Sequence, residues 1–203
     1  MLSEPLRDDP QAIATYLSDK FEKNELSEIL TSLSVVVRAQ NVQILGRDAG
    51  LRRDSLYRTF GGKVDPDLSR VLMLFEALNI RFVVAAVSES NAFCAAAGDK
   101  NDFGMHHPTS IAHYLDRSFE RNNLNEAVCA LKTVTRAQNM SALARASGIP
   151  RETLYKSFGG KVDPQLGRIV KLFAAFGVSF TVAALPPRRR SARPKLGRPR
   201  KAR

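Results

Sequence analysis

Two stretches of this 203-residue chain present the same cationic and hydroxyl side chains at the same spacing. Leu56 to Pro66 read LYRTFGGKVDP and Leu154 to Pro164 read LYKSFGGKVDP, 98 positions apart. In and just before them stand Arg52, Arg53, Ser55, Tyr57, Arg58 and Lys63, and in the second stretch Arg151, Thr153, Tyr155, Lys156 and Lys161. A guanidinium presents forked donors that fit a phosphate or the edge of guanine, serine and threonine are permissive donors and acceptors, and a tyrosine hydroxyl or a lysine in a glycine loop can hold a phosphate. This is the chemistry of recognising a polyanion.

The charge of the chain points the same way. Net charge is +11, and residues 188–203 carry nine Lys/Arg without an acid, which leaves +2 for residues 1–187. Residues 38–70 hold seven basic against four acidic side chains, residues 136–168 six against two, and the first 37 residues are net −4. Positive charge is thus concentrated on the repeated stretches and the tail, as a phosphate-binding surface requires.

Enzyme chemistry finds no support. His106, His107 and His113 are the only histidines, and no Ser/His/Asp arrangement, paired acidic motif, phosphate loop or metal spacing accompanies them. No cofactor or metal is expected. Cys94 and Cys129 follow no metal spacing and read as free thiols of a cytoplasmic protein. No apolar run reaches the roughly 18–20 residues of a membrane-spanning helix, and the opening MLSEPLRDDPQ is no signal peptide.

The elements that position these side chains repeat as well. Between Arg38–Arg70 and Arg136–Arg168, 19 of 33 positions are identical without a gap. Asp9-Pro10 opens a helix over about 10–23 carrying Ile13, Tyr16, Leu17 and Phe21, and a second runs over about 26–39. A short helix over about 42–49 ends at Gly50, and another runs from Arg52 to Phe60; in the second copy Ser141 is expected to cap the equivalent helix and Gly148 to end it. Helix, tight glycine turn, helix is the helix-turn-helix arrangement. Asp65-Pro66 is expected to cap and start the helix of Leu68, Val71, Leu72, Phe75 and Leu78, and Thr109 or Ser110 to cap the first helix of the second copy. Ile80–Val84 and Val178–Val182 read as short strands.

The expected organisation is a first domain over 9–86, a linker over 87–108, a second domain over 109–185, and a disordered basic tail over 186–203. The fold class is all-α, two tandem helix-turn-helix units each closed by a short β-strand.

The second copy, SALARASGIPRETLYKSFGGKVDPQLGRIVKLFAAFGVSFTV, resembles the XRE/Cro-type helix-turn-helix proteins of the probable addiction module antidote family, relatives of the HigA-type antitoxins. The first copy matches through Leu45, Arg47, Gly50 and the run RDSLYR at 53–58. The resemblance spans about 9–85 and 107–183 and implies a lambda-repressor-like fold, DNA binding and autoregulation beside a toxin gene. Two features depart from the family pattern: the duplication, and the basic tail. Within that tail Gly197, Arg198, Pro199, Arg200 and Lys201 resemble an AT-hook, with Leu196 where the hook carries arginine. Arg198 and Arg200 are its candidates for minor-groove insertion.

In helix-turn-helix proteins the N-terminal residues of the second helix reach base edges. That assigns base contacts to Arg52, Arg53, Ser55 and Arg58 and to Arg151, Thr153 and Lys156, with Tyr57, Tyr155, Lys63 and Lys161 on phosphates; Gln40 and Gln138 are further candidates for backbone contacts. The expected function is a sequence-specific, double-stranded-DNA-binding transcriptional regulator, nucleoid-associated in the cytoplasm, with an antitoxin that neutralises a toxin partner as the alternative. The two strands are expected to pair antiparallel about a pseudo-two-fold axis, making one chain a monomeric pseudo-dimer; a homodimer with four motifs is the rival.

Overall fold

The computed structural model describes residues 6–87 and 106–186. Each copy contributes five helices and one strand: α1 (Pro10–Phe21), α2 (Leu26–Ala39), α3 (Val42–Asp48), α4 (Arg53–Thr59), α5 (Leu68–Leu78) and β1 (Ile80–Ala86), then α6 (Pro108–Phe119), α7 (Leu124–Ala137), α8 (Met140–Ser147), α9 (Arg151–Ser157), α10 (Leu166–Phe176) and β2 (Val178–Ala184). The described residues are therefore helix-rich, with one two-stranded sheet among them.

Local chemistry sets most helix ends. Asp9 accepts the N–H groups of Gln11 and Ala12 while Pro10 supplies the preset first turn. Asn41 and Asn139 cap α3 and α8 in the same manner, so the cap of α8 is Asn139 rather than Ser141. His107, not Thr109 or Ser110, caps α6, its Nδ1 accepting from the Thr109 N–H. Both short helix pairs turn through a left-handed glycine, Gly50 and Gly148, each at φ +64°, a conformation that costs a side-chain-bearing residue free energy.

The β1–β2 pairing joins the two copies. The strands run antiparallel in the register Phe82↔Val182, Val83↔Thr181, Val84↔Phe180. Because equivalent residues are 98 apart, the Val83–Thr181 pair maps onto itself and marks a pseudo-two-fold axis. The isolated bridge Asp67↔Gln165 is self-equivalent in the same way and marks the axis a second time.

Around that axis the copies exchange contacts. Helix α1 covers the outer edge of β2, where Ser18 Oγ donates to the Val182 carbonyl at 2.7 Å and accepts its N–H at 3.0 Å. At the equivalent place α6 covers β1: Asp116 Oδ1 accepts the Val84 N–H at 3.2 Å and pairs with Arg81 Nη1 at 3.1 Å, and Asn122 Nδ2 donates to the Ile80 carbonyl. Strand edges that would otherwise template aggregation are thereby satisfied.

The core follows the same exchange. Phe21, Phe75 and Phe82 and their equivalents Phe119, Phe173 and Phe180 are all fully buried. Phe82 and Phe180 lie 4.5 Å apart between centroids across the axis, and Phe21 reaches Phe180 at 6.4 Å. One aromatic cluster thus serves both copies, each ring pair adding about 0.5–1.5 kcal/mol beyond its buried area.

A third sequence expectation, besides the two caps, is corrected here. Asp65 and Pro66 do not start α5, whose first residue is Leu68 and whose N-cap is Asp67, without a side-chain cap bond. Pro66 is buried and its carbonyl accepts the Leu166 N–H at 2.8 Å, while Pro164 accepts that of Leu68 at 2.9 Å. Asp65 reaches across instead and accepts the Gly167 N–H at 2.9 Å, and Asp163 accepts the Ser69 N–H at 3.2 Å. Each carboxylate thus serves the opening turn of the other copy's helix, because the bridge at the axis brings that turn closer than its own.

Candidate nucleic-acid interface

Leu56 and Leu154 are fully buried and fix α4 and α9 to the core, which turns the opposite faces outward. On α4 this exposes Arg53, Tyr57 and Arg58, with Arg52 exposed at the N-cap and Ser55 half-buried. On α9 it exposes Arg151, Tyr155 and Lys156, with Thr153 half-buried. Tyr57 and Tyr155 are 41% and 56% exposed, so neither ring is consumed by packing. The Arg53 guanidinium lies 5.9 Å from the Tyr57 ring centroid, within cation–π range.

The glycine loops follow. Lys63 and Lys161 are exposed beside Val64 and Val162, which are 49% and 43% exposed. Gly62 and Gly160 stand at φ +84°, the left-handed turn that leads each loop back to the axis. The two loops therefore flank the Asp67–Gln165 bridge, and each short helix pair lies one loop away from it.

The candidates Gln40 and Gln138 do not belong to this surface. Both are buried, and Gln40 donates through Nε2 to the Leu6 carbonyl and accepts the Asp8 N–H, tying the N-terminal segment to the end of α2. Their position near a helix end is real, but the amides are spent inside. Arg198 and Arg200 lie outside the described residues.

Two groups escaped the sequence reading of the site. Arg47 and Arg145, at equivalent exposed positions of α3 and α8, flank the turns; their recurrence in both copies was the available signal. Asp65 is the other. Burial holds its carboxyl above the usual carboxylate value, against the lowering effects of the Gly167 N–H and of Arg168 and Lys171. Its task is structural, joining loop to helix across the axis. Among the described residues, no group of three or more His, Cys, Asp and Glu side chains could hold a metal ion. No described helix is long and apolar enough to cross a membrane.

A family model described as probable addiction module antidote protein matches this chain twice, over residues 2–86 and 101–184. The chain belongs to that family. The antidote-family match falls on both copies and encloses both short helix pairs, both glycine loops and both strands. An uncharacterized protein of Haemophilus influenzae is 32% identical over 74 residues, covering 36% of this chain and 76% of the relative. That relative corresponds in length to a single antidote repeat. No solved structure matches the chain.

Proposed function

We propose that this chain is an antitoxin-type protein that neutralises a toxin partner and autoregulates its own operon, binding duplex DNA through its two short helix pairs acting as helix-turn-helix units of the XRE/HigA type. Membership of the antidote family supports the antitoxin role. The observation that carries the DNA role is the pseudo-two-fold axis marked by Val83–Thr181 and Asp67–Gln165, because it relates two exposed basic helices, α4 and α9, as a symmetric DNA reader requires. Dimeric readers of this class place half-sites one helical turn, roughly 34 Å, apart, and here the fusion supplies both halves within one chain. Effective concentration favours that pairing over association between chains.

In this reading Arg52, Arg53, Ser55 and Arg58 meet one half-site and Arg151, Thr153 and Lys156 the other, with Tyr57, Tyr155, Lys63 and Lys161 on phosphates. The basic tail, with Arg198 and Arg200, adds contacts in the minor groove or to the backbone. Selection of bound sites from random duplexes tests the DNA role: an imperfect inverted repeat is expected, and a pool with no enriched sequence would refute it. Purification of the native chain tests the toxin role, for which a stoichiometric small protein partner is the expected result. DNA binding without such a partner would leave a transcriptional regulator alone.

A further inference from the structure

The setting of one repeated arginine differs between the two copies. Arg47 donates through Nε and Nη2 to Asp48 Oδ1 at 3.0 and 2.9 Å. At the equivalent place Arg145 is followed by Ala146. The following arginines differ also: Arg53 leans over the Tyr57 ring, whereas Arg151 makes no such contact. Among the described residues neither the Arg145 nor the Arg151 side chain has a hydrogen-bond or ion-pair partner. Both line an open groove of about 580 Å³ between α8 and α9, together with Ser141, Gly148, Ile149 and Pro150.

That lining holds two unpaired guanidiniums and a hydroxyl and no acid. Two like charges facing one groove repel until an anion enters it, and a phosphate oxygen set matches the forked donors of arginine. In the first repeat an anion approaching Arg47 also meets the Asp48 carboxylate, which already occupies two of its donors. The surface pair is individually weak, but the carboxylate opposes phosphate wherever its partner swings.

We propose that the Arg145–Arg151 groove is a phosphate clamp for one backbone phosphate of duplex DNA, held by Arg145 while Arg151 lends its charge from beside the base edge it meets, a contact the first repeat does not match, so that the second repeat anchors the chain on its site. This rests on the DNA-binding role proposed above. The consequence is a reader with a fixed direction: the strongly held half-site belongs to α8–α9, and the other half is held by a different set of cations that includes Arg52.

The test uses the full chain and a duplex selected from a random pool, with affinity measured between about 50 and 200 mM salt, where the slope of log affinity against log salt counts neutralised phosphates at about 0.9 each. Arg145→Ala should make the slope shallower by about 0.9, Arg47→Ala, whose charge Asp48 already offsets, should change it by clearly less, and Asp48→Ala should steepen it as Arg47 is released. All three side chains are exposed, and unchanged melting temperatures would exclude unfolding. Equal slope changes for Arg47→Ala and Arg145→Ala, or none for Arg145→Ala, would overturn the clamp while leaving DNA binding standing. A wild-type chain that binds no duplex would overturn both. Inorganic phosphate alone, titrated while the Arg145 Nε resonance is followed, should leave that resonance unshifted below millimolar concentration; saturation there would reassign the groove to a free anion.

Discussion

Asp65 and Gly167, 102 residues apart in sequence, are joined at 2.9 Å from carboxylate oxygen to backbone nitrogen. The bond closes one copy's loop onto the other copy's helix, and its mirror image joins Asp163 to Ser69. At Gly167 a Cβ would meet Asp65 Oδ2 at 2.7 Å and Leu26 Cδ2 at 2.6 Å, so a side chain there would make those two side-chain ends shift, whereas the equivalent Ser69 accommodates its own.

Replacing Asp65 separates its acceptor role from its charge. Asp65→Ala leaves the part-buried Gly167 N–H unpaired and should cost about 1–3 kcal/mol. Asp65→Asn keeps an acceptor without the charge. Burial raises the folded-state pKa of Asp65, so its favourable contribution is fully present below the unfolded value and is lost as pH rises through the folded one. Asp65→Asn should therefore gain stability relative to wild type as pH is raised above the usual carboxylate range. Denaturant melts of both proteins across that range check the sign.

Phe180 touches Phe82, Phe119, Phe173 and Phe21. Phe180→Ala should cost about 3–5 kcal/mol. The loss should fall on both copies at once, leaving a single cooperative transition at lower temperature. Two separated calorimetric transitions would show that the copies fold independently.

In the proposed function, Arg53 and Arg151 at the start of α4 and α9 meet the bases. Arg53→Ala or Arg151→Ala should each cost on the order of 1–3 kcal/mol of binding and relax specificity in one half-site. Full affinity of the double variant at moderate salt would show that these helices are not the reading elements.

Removal of residues 188–203 deletes nine positive charges. Affinity should fall for all duplexes, with a shallower salt slope. A slope equal to that of the full chain would place the tail off the DNA.

The free chain should scatter light as a monomer, and one chain should occupy one short duplex, because strand pairing is already satisfied within the chain. Two chains per short site would instead make the assembly a homodimer with four short helix pairs.

The sequence by itself determined the duplication, the helix-rich class, and nearly every element. Apolar spacing in α2, the caps Asp9, Gly50 and Gly148, and the β-rich ends are all local signals, and each acts within a few residues of the side chain that carries it. It also determined which side chains are cationic. Only the tertiary structure decided where partners come from. Asp65 has the right chemistry to cap a helix, and sequence proximity assigns it to α5; folding gives it to α10, because the axis brings that N-terminus within hydrogen-bond reach. Gln40 and Gln138 have the polarity of surface residues, and Gln40 is drawn inside by the Leu6 carbonyl and the Asp8 N–H. A side chain's donors and acceptors are written in its type, but its partner is set by whichever complementary group packing brings nearest, and in this chain that group often belongs to the other copy.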